Sequence, residues 1–260
     1  MNKFHSIIYR QHGEHVAVIS FNRPESLNAI NSDIRKELRD VLDQVATDTS
    51  IRAVVLGGEG RVFSAGADLK ETQGKLDMIA MLMEEYKPSF DAIIGMQKPV
   101  ISAICGSASG IGLSLALVCD LSVMADDAFL LAPFSSINLV PDGGSTYMLS
   151  RQMGYKRAFQ MAIEAERLPA DQALQLGLVN RLVPTAQVMP EAIDWATQLT
   201  MRAPAAIAGT KKLMRFAMQN SFDETFYQEA LVQKLCFDSE DFTEGVNAFI
   251  EKRTPFFKGN

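Results

Sequence analysis

A strand followed by a helix, repeated several times, is the feature that most constrains this chain, and it points to an α/β core. Residues 15–21 read as a buried strand, closed by the turn formers Asn22, Arg23 and Pro24. A helix follows, with its polar cap at Asn31 or Ser32 and an apolar stripe of Ile34, Leu38, Val41, Leu42 and Val45. Residues 51–56 form a second predicted strand, ended by Gly57 and Gly58, and residues 99–104 a third. A Met- and Leu-rich amphipathic segment occupies about 75–96. Beyond Gly112 the chain reads as helical to Cys119, then as extended over 121–124 and 129–131. Strand signals cease from about Pro190, and 204–216, 222–236 and 242–252 read as helices. The expected organisation is a core over residues 1–190 and an all-helical region over 191–260.

Two glycine-punctuated segments interrupt this pattern. Residues 63–70 follow a strand and contain Ser64, Ala65, Gly66, Ala67, Asp68 and Leu69. Residues 105–112 join a strand to a helix and contain Gly106, Gly110, Ile111 and Gly112. Small residues let a ligand approach the backbone, and the start of a helix leaves N–H groups without internal partners. Two such N–H groups converging on one carbonyl oxygen make an oxyanion hole. Ordinary tight turns look the same, so spacing alone leaves both readings standing. Neither segment is a strict dinucleotide-binding or Walker-type loop, which argues against dinucleotide and ATP binding.

The chemistry available is narrowed by what the chain lacks. Its three histidines, His5, His12 and His15, all fall in the first fifteen residues, which excludes a Ser-His-Asp triad or a histidine-rich metal site in the body of the protein. Carboxylates are then the leading acid–base candidates. A net charge of -6 and a pI near 5.2 argue against nucleic acid or an anionic membrane as partner. Three widely separated cysteines, Cys105, Cys119 and Cys236, suit neither a disulfide framework nor a zinc site. The N-terminus lacks the pattern of a secretory signal, and the apolar run over 113–118 is too short to span a bilayer. A reducing cytoplasm is the expected compartment.

Residues 63–70 together with 99–120 resemble the paired signature of the crotonase (enoyl-CoA hydratase/isomerase) superfamily. The resemblance continues through Asn22-Arg23-Pro24 to Leu27-Asn28-Ala29, through Ala170, Ala173 and Gly177-Leu178-Val179, and into residues 244–253. It implies a spiral of ββα units with an all-helical C-terminal region that mediates trimer formation, in a homotrimer or hexamer. It also implies an acyl-CoA thioester as substrate, with no metal and no cofactor apart from that coenzyme A. By position, the backbone N–H groups of Ala67 and Ile111 become the oxyanion donors. Ala65, Gly66, Asp68, Leu69 and Gly110 then surround the substrate, Asp68 holding loop geometry.

This sequence departs from the hydratase pattern at two places. Typical enoyl-CoA hydratases carry one glutamate on the helix after the second glycine segment and another after a later proline. Here those positions read Ser114 and Phe134, and neither is a base, so hydration through an activated water is disfavoured. Ser114 reads first as a small helix-packing residue, with a hydrogen bond to a ligand as its other reading. Asp142, between Pro141 and Gly143, sits in a natural β-turn and helix-cap context. The run from Phe134-Ser135 to Pro141-Asp142-Gly143 also resembles the isomerase branch, whose single acidic residue lies there. An apolar wall of Phe134 and Leu131 would raise its pKa, and Tyr147 is a candidate lining residue of the acyl pocket. The expectation is isomerisation of a 3-enoyl-CoA with Asp142 as proton shuttle; hydratase and non-catalytic acyl-CoA binder are the alternatives. Lys211-Lys212 and Lys252-Arg253 read first as solvated surface, with CoA phosphates as their other reading.

Overall fold

The computed structural model describes residues 4–71 and 77–259. Strands β1 (Ile7–His12) and β2 (Val16–Phe21) form an antiparallel hairpin, followed by helix α1 (Ser32–Thr47) and strand β3 (Ala53–Gly58). A short α2 (Met78–Ala80) runs through a π-helical stretch, Met81–Tyr86, into α3 (Lys87–Gly95). Residues 75 and 76 of the predicted amphipathic segment lie outside the described residues. Next come β4 (Val100–Ile104), β5 (Ser107–Ser109), α4 (Ile111–Val118), β6 (Leu121–Ala125) and β7 (Phe129–Leu131). Helices α5 (Ser145–Met153) and α6 (Tyr155–Glu164) lead to β8 (Leu168–Pro169), α7 (Ala170–Gln175), β9 (Arg181–Val183) and α8 (Val188–Thr200). The chain ends in α9 (Pro204–Ala217), α10 (Phe222–Phe237) and α11 (Glu240–Glu251).

The strands form two sheets, one ordered β1-β2-β3-β4-β6-β9 and one ordered β5-β7-β8. From β2 to β9 the larger sheet is parallel, and each return to it carries the chain through the smaller sheet or a helix. The ββα unit is plainest at β4, β5 and α4, where the first strand joins one sheet and the second joins the other. Parallel strands covered on both faces should be apolar throughout. All six residues of β2 and all five of β4 are buried, as that rule requires. The edge strand β1 buries only Ile7, which is why periodicity alone does not announce it.

α1 buries the stripe expected of it, Ile34, Leu38, Val41, Leu42 and Val45, together with Arg35. Its cap is Asn31, whose side chain accepts the Ile34 N–H at 3.0 Å. The boundary expected at residue 190 falls inside α8, which packs across β2, β3, β4 and β6 as part of the core. Beyond Thr200 the chain is helical, as expected for its C-terminal region.

Two ion pairs that share Asp120 fasten α9 to the sheet. Asp120 accepts the Val100 N–H at 2.9 Å and pairs with Lys211 at 2.7 Å and Arg215 at 2.9 Å. Lys211 is buried and also donates to the carbonyls of Ile93 and Lys98, so it is neither solvated surface nor a free phosphate ligand. Arg253 is likewise engaged, pairing with Glu244 and Glu251. Among the described residues no helix is long and apolar enough to cross a membrane.

Candidate active site

The two glycine segments meet. Ser64 donates its N–H to the Ser107 carbonyl, and Ser109 returns one to the Ser64 carbonyl, at 3.1 and 3.0 Å. That bridge brings Gly66 against Gly110: a Cβ on Gly66 would lie 3.0 Å from the Ser109 carbonyl oxygen and 3.6 Å from the Gly110 Cα. Both have positive φ, +101° and +55°, a region that glycine alone enters without strain. The two glycines in contact are those that precede Ala67 and Ile111.

Their N–H groups have been left unused. On either side of Ala67, the Gly66 N–H donates to Ser64 Oγ and the Asp68 N–H to the Ile30 carbonyl. Ile111 opens α4, where a helix has no internal acceptor for its first N–H groups. No protein acceptor lies on either N–H among the described residues. The structure thus brings the two glycine segments into contact and leaves the N–H groups of Ala67 and Ile111 without a protein acceptor among the described residues, as an oxyanion hole would require.

Around them, Asp68 pairs with Arg23 at 2.9 Å and accepts the Lys70 N–H at 3.2 Å, which holds its carboxyl below the usual range and fixes the loop. Ala65 is exposed and hydrogen-bonded to the Leu27 carbonyl through its N–H, and Leu69 is half exposed. A cavity of about 390 Å³ opens beside Ala67, walled by Ile30, Met81 and Tyr86. Arg35 also lines it and is held by Glu85 at 2.8 Å and Glu71 at 3.3 Å. Burial pushes the Tyr86 phenol up to about 12, so it stays neutral. Neither Tyr86 nor Arg35 was legible as a site residue in the sequence. A larger cleft, lined by Arg157, Glu166 and Arg167 among others, includes none of the glycine-segment residues.

Asp142 arrives from a different part of the chain and is fixed by its backbone. Its carbonyl accepts Ser114 Oγ at 2.9 Å, Ser145 Oγ at 2.8 Å and the Ser145 N–H at 3.0 Å. Its side-chain Oδ1 is out of solvent and has no hydrogen-bond partner. Burial pushes the carboxyl up to about 6. An unpartnered buried carboxyl oxygen is costly and rare, and such groups gather at functional sites. Phe134, at the position of a hydratase glutamate, is a buried ring in the turn over 133–137.

Gly143 shows how closely the Asp142 loop approaches α4. At φ +58°, a Cβ there would lie 2.4 Å from Ile111 Cδ1, 2.8 Å from Ser114 Cβ and 3.0 Å from Phe90 Cζ. The loop that carries Asp142 therefore packs directly against the Ile111 and Ser114 side chains of α4. Gly143→Ala is expected to cost about 1–3 kcal/mol through overpacking, read by denaturant unfolding. Tyr147, the candidate lining residue of the acyl pocket, is partly exposed, with Arg151 over its ring, and its hydroxyl accepts a hydrogen bond from Gln219.

The model of the enoyl-CoA hydratase/isomerase family matches residues 11–260. The chain belongs to that family. A probable enoyl-CoA hydratase from Rhodobacter capsulatus is 38% identical, over 98% of this chain and 99% of that one. A 1,2-epoxyphenylacetyl-CoA isomerase from Escherichia coli is 34% identical, over 94% and 95%. The crystal structure of an enoyl-CoA hydratase from Bacillus anthracis superposes with a TM-score of 0.94 at 30% identity, covering 98% of this chain and all of that one. The crotonase-type fold read from the sequence is thereby established, and so is membership of an enzyme family that acts on acyl-CoA thioesters.

Proposed function

We propose that this family member isomerises a 3-enoyl-CoA to a 2-enoyl-CoA, with Asp142 carrying the proton. The observation that carries this reading is the Asp142 carboxyl itself, buried, unpartnered at Oδ1 and raised toward neutrality, while Ser114 and Phe134 replace both hydratase glutamates. Asp142 takes a proton from C2, and the electron pair moves through the thioester carbonyl to its oxygen. The N–H groups of Ala67 and Ile111 stabilise the dienolate, where two preorganised donors are worth most because the charge is greatest. Protonated Asp142 then returns the proton at C4, leaving the double bond between C2 and C3. No oxidant or added water is consumed, so one carboxylate suffices.

The names of relatives favour a second reading, hydration of a 2-enoyl-CoA. It requires a group that positions and activates water, and neither Ser114 nor Phe134 can. A purely binding role leaves the unpartnered Oδ1 of Asp142 without a use. The proposal includes coenzyme A only as part of the substrate, with no separate cofactor, and a cytoplasmic enzyme. It also includes assembly as a homotrimer or hexamer, in which the exposed Phe222, Phe226, Leu235, Phe249 and Ile250 of α10 and α11 would be covered.

The test supplies the protein with a 3-enoyl-CoA and, separately, a 2-enoyl-CoA, following the conjugated thioester by its absorbance. Conversion of the first without hydration of the second is expected. Because the base works only when ionised, kcat/KM should rise with pH through about 6 and level off above it. Rapid hydration of the 2-enoyl-CoA that persists in Asp142→Asn would overturn the assignment.

A further inference from the structure

We propose that Ser114 is the positioning residue of this site, its hydroxyl locking the proton-carrying loop onto the helix that supplies an oxyanion donor. This rests on the reading of Asp142 as the proton carrier. Ser114 lies one turn beyond Ile111 on α4 and is fully buried. Its Oγ is 2.9 Å from the Asp142 carbonyl and 3.5 Å from the Gly110 carbonyl. A helical serine usually returns its hydrogen bond to its own preceding turn. Here the shorter contact instead crosses to a loop 28 residues away.

The consequence is a division of labour within Asp142. Three donors grip its main-chain carbonyl, from Ser114 Oγ, Ser145 Oγ and the Ser145 N–H, and none reaches Oδ1 among the described residues. Held through its side chain, the carboxylate would be stabilised in its charged form and lose basicity. Held mainly through its backbone carbonyl, with Oδ1 unpartnered and burial outweighing the one hydrogen bond from its own N–H, it keeps both its place and a raised proton affinity. The hydroxyls of Ser114 and Ser145 approach that carbonyl from two helices, α4 and α5, so the loop is clamped from both. The glycine at 143 allows the clamp to close, since any side chain there meets Ile111 and Ser114.

Ser114 is covered by the Asp142–Gly143 loop, so a glutamate introduced there would have to displace the loop that carries the base.

The test is Ser114→Ala in the full-length protein, assayed with a 3-enoyl-CoA. Turnover (kcat) is expected to fall about tenfold or more, with KM within about twofold, because the substrate-binding donors are untouched while the base is loosened. The pH midpoint of kcat/KM should also move below that of wild type, as water gains access to the freed carboxylate. Ser114→Cys, which keeps the volume and a weak donor, should fall between the two and serves if the alanine variant folds poorly. Loss of thermal stability with turnover and the pH midpoint unchanged would reduce Ser114 to a packing residue and overturn the inference. Asp142→Asn, run alongside, separates the two ideas: full turnover in that variant sinks the functional reading itself. Loss of turnover there, with Ser114→Ala behaving as wild type, sinks only the clamp.

Discussion

Asp142→Asn is expected to lower turnover of a 3-enoyl-CoA by roughly 10³-fold or more while making the protein more stable at neutral pH. The loss follows from having a single carboxylate: removal of the C2 proton and delivery to C4 both pass through it, and asparagine does neither. Affinity for coenzyme A thioesters should stay within a few-fold, because the Ala67 and Ile111 N–H groups that hold the carbonyl are unaffected. The stability gain follows from linkage. An unfolded aspartate has a pKa near 3.9, whereas burial lifts folded Asp142 to about 6. Between those values the folded chain holds a proton that the unfolded chain has released, so stability falls as pH rises from about 4 to about 6. Above pH 6 the whole penalty is present, and asparagine removes it. At pH 7 the variant should be more stable by up to about 2–3 kcal/mol, and near pH 4 the two should converge. Denaturant titrations at the two pH values, beside a turnover assay, check both halves. A variant that is inactive and also less stable at pH 7 would mean that Asp142 serves the fold.

That opposition between activity and stability marks what a sequence reveals and what it hides. α1 was legible down to its individual core residues, because Ile34, Leu38, Val41, Leu42 and Val45 repeat at helical spacing and Asn31 caps them. The central strands were legible because burial on both faces makes them continuously apolar. β1 was not, since an edge strand that buries one residue has no such signature. α8 escaped because its buried Val188, Ala192 and Ala196 are mostly small, and their partners lie on four strands far back in the chain.

The site divides along the same line. Ala67 and Ile111 are proposed through the resemblance, since each follows a glycine in a recognisable segment. Ser114 read as a packing residue, and its hydroxyl acquires a role only once a loop 28 residues later folds over it. Tyr147 reads as a pocket residue because it lies one turn beyond Asp142, and its hydrogen bond from Gln219, 72 residues later, is one that its sequence position does not announce. Proximity in sequence predicts a shared face only within one element, and Asp142 lies in the turn before α5 begins.

Removing one oxyanion donor is the second large effect, and it separates the oxyanion hole from the base. Ala67→Pro deletes an N–H that meets no protein acceptor among the described residues, so no hydrogen bond of the fold is lost with it. The Gly66 and Asp68 N–H groups on either side, which do hold the loop, remain. Turnover should fall by about 10²–10³-fold, about 3–4 kcal/mol of transition-state stabilisation. The ground-state thioester oxygen carries little charge, so KM should move far less than kcat. Unlike Asp142→Asn, this variant keeps the ionisable base, and its residual activity should still rise with pH through about 6. Combining the two tests whether they act as a unit: if dienolate formation needs both, the double variant will be scarcely slower than Asp142→Asn alone. If instead the losses multiply, the donor must stabilise a species that forms without Asp142, and the proton would have to leave C2 by another route.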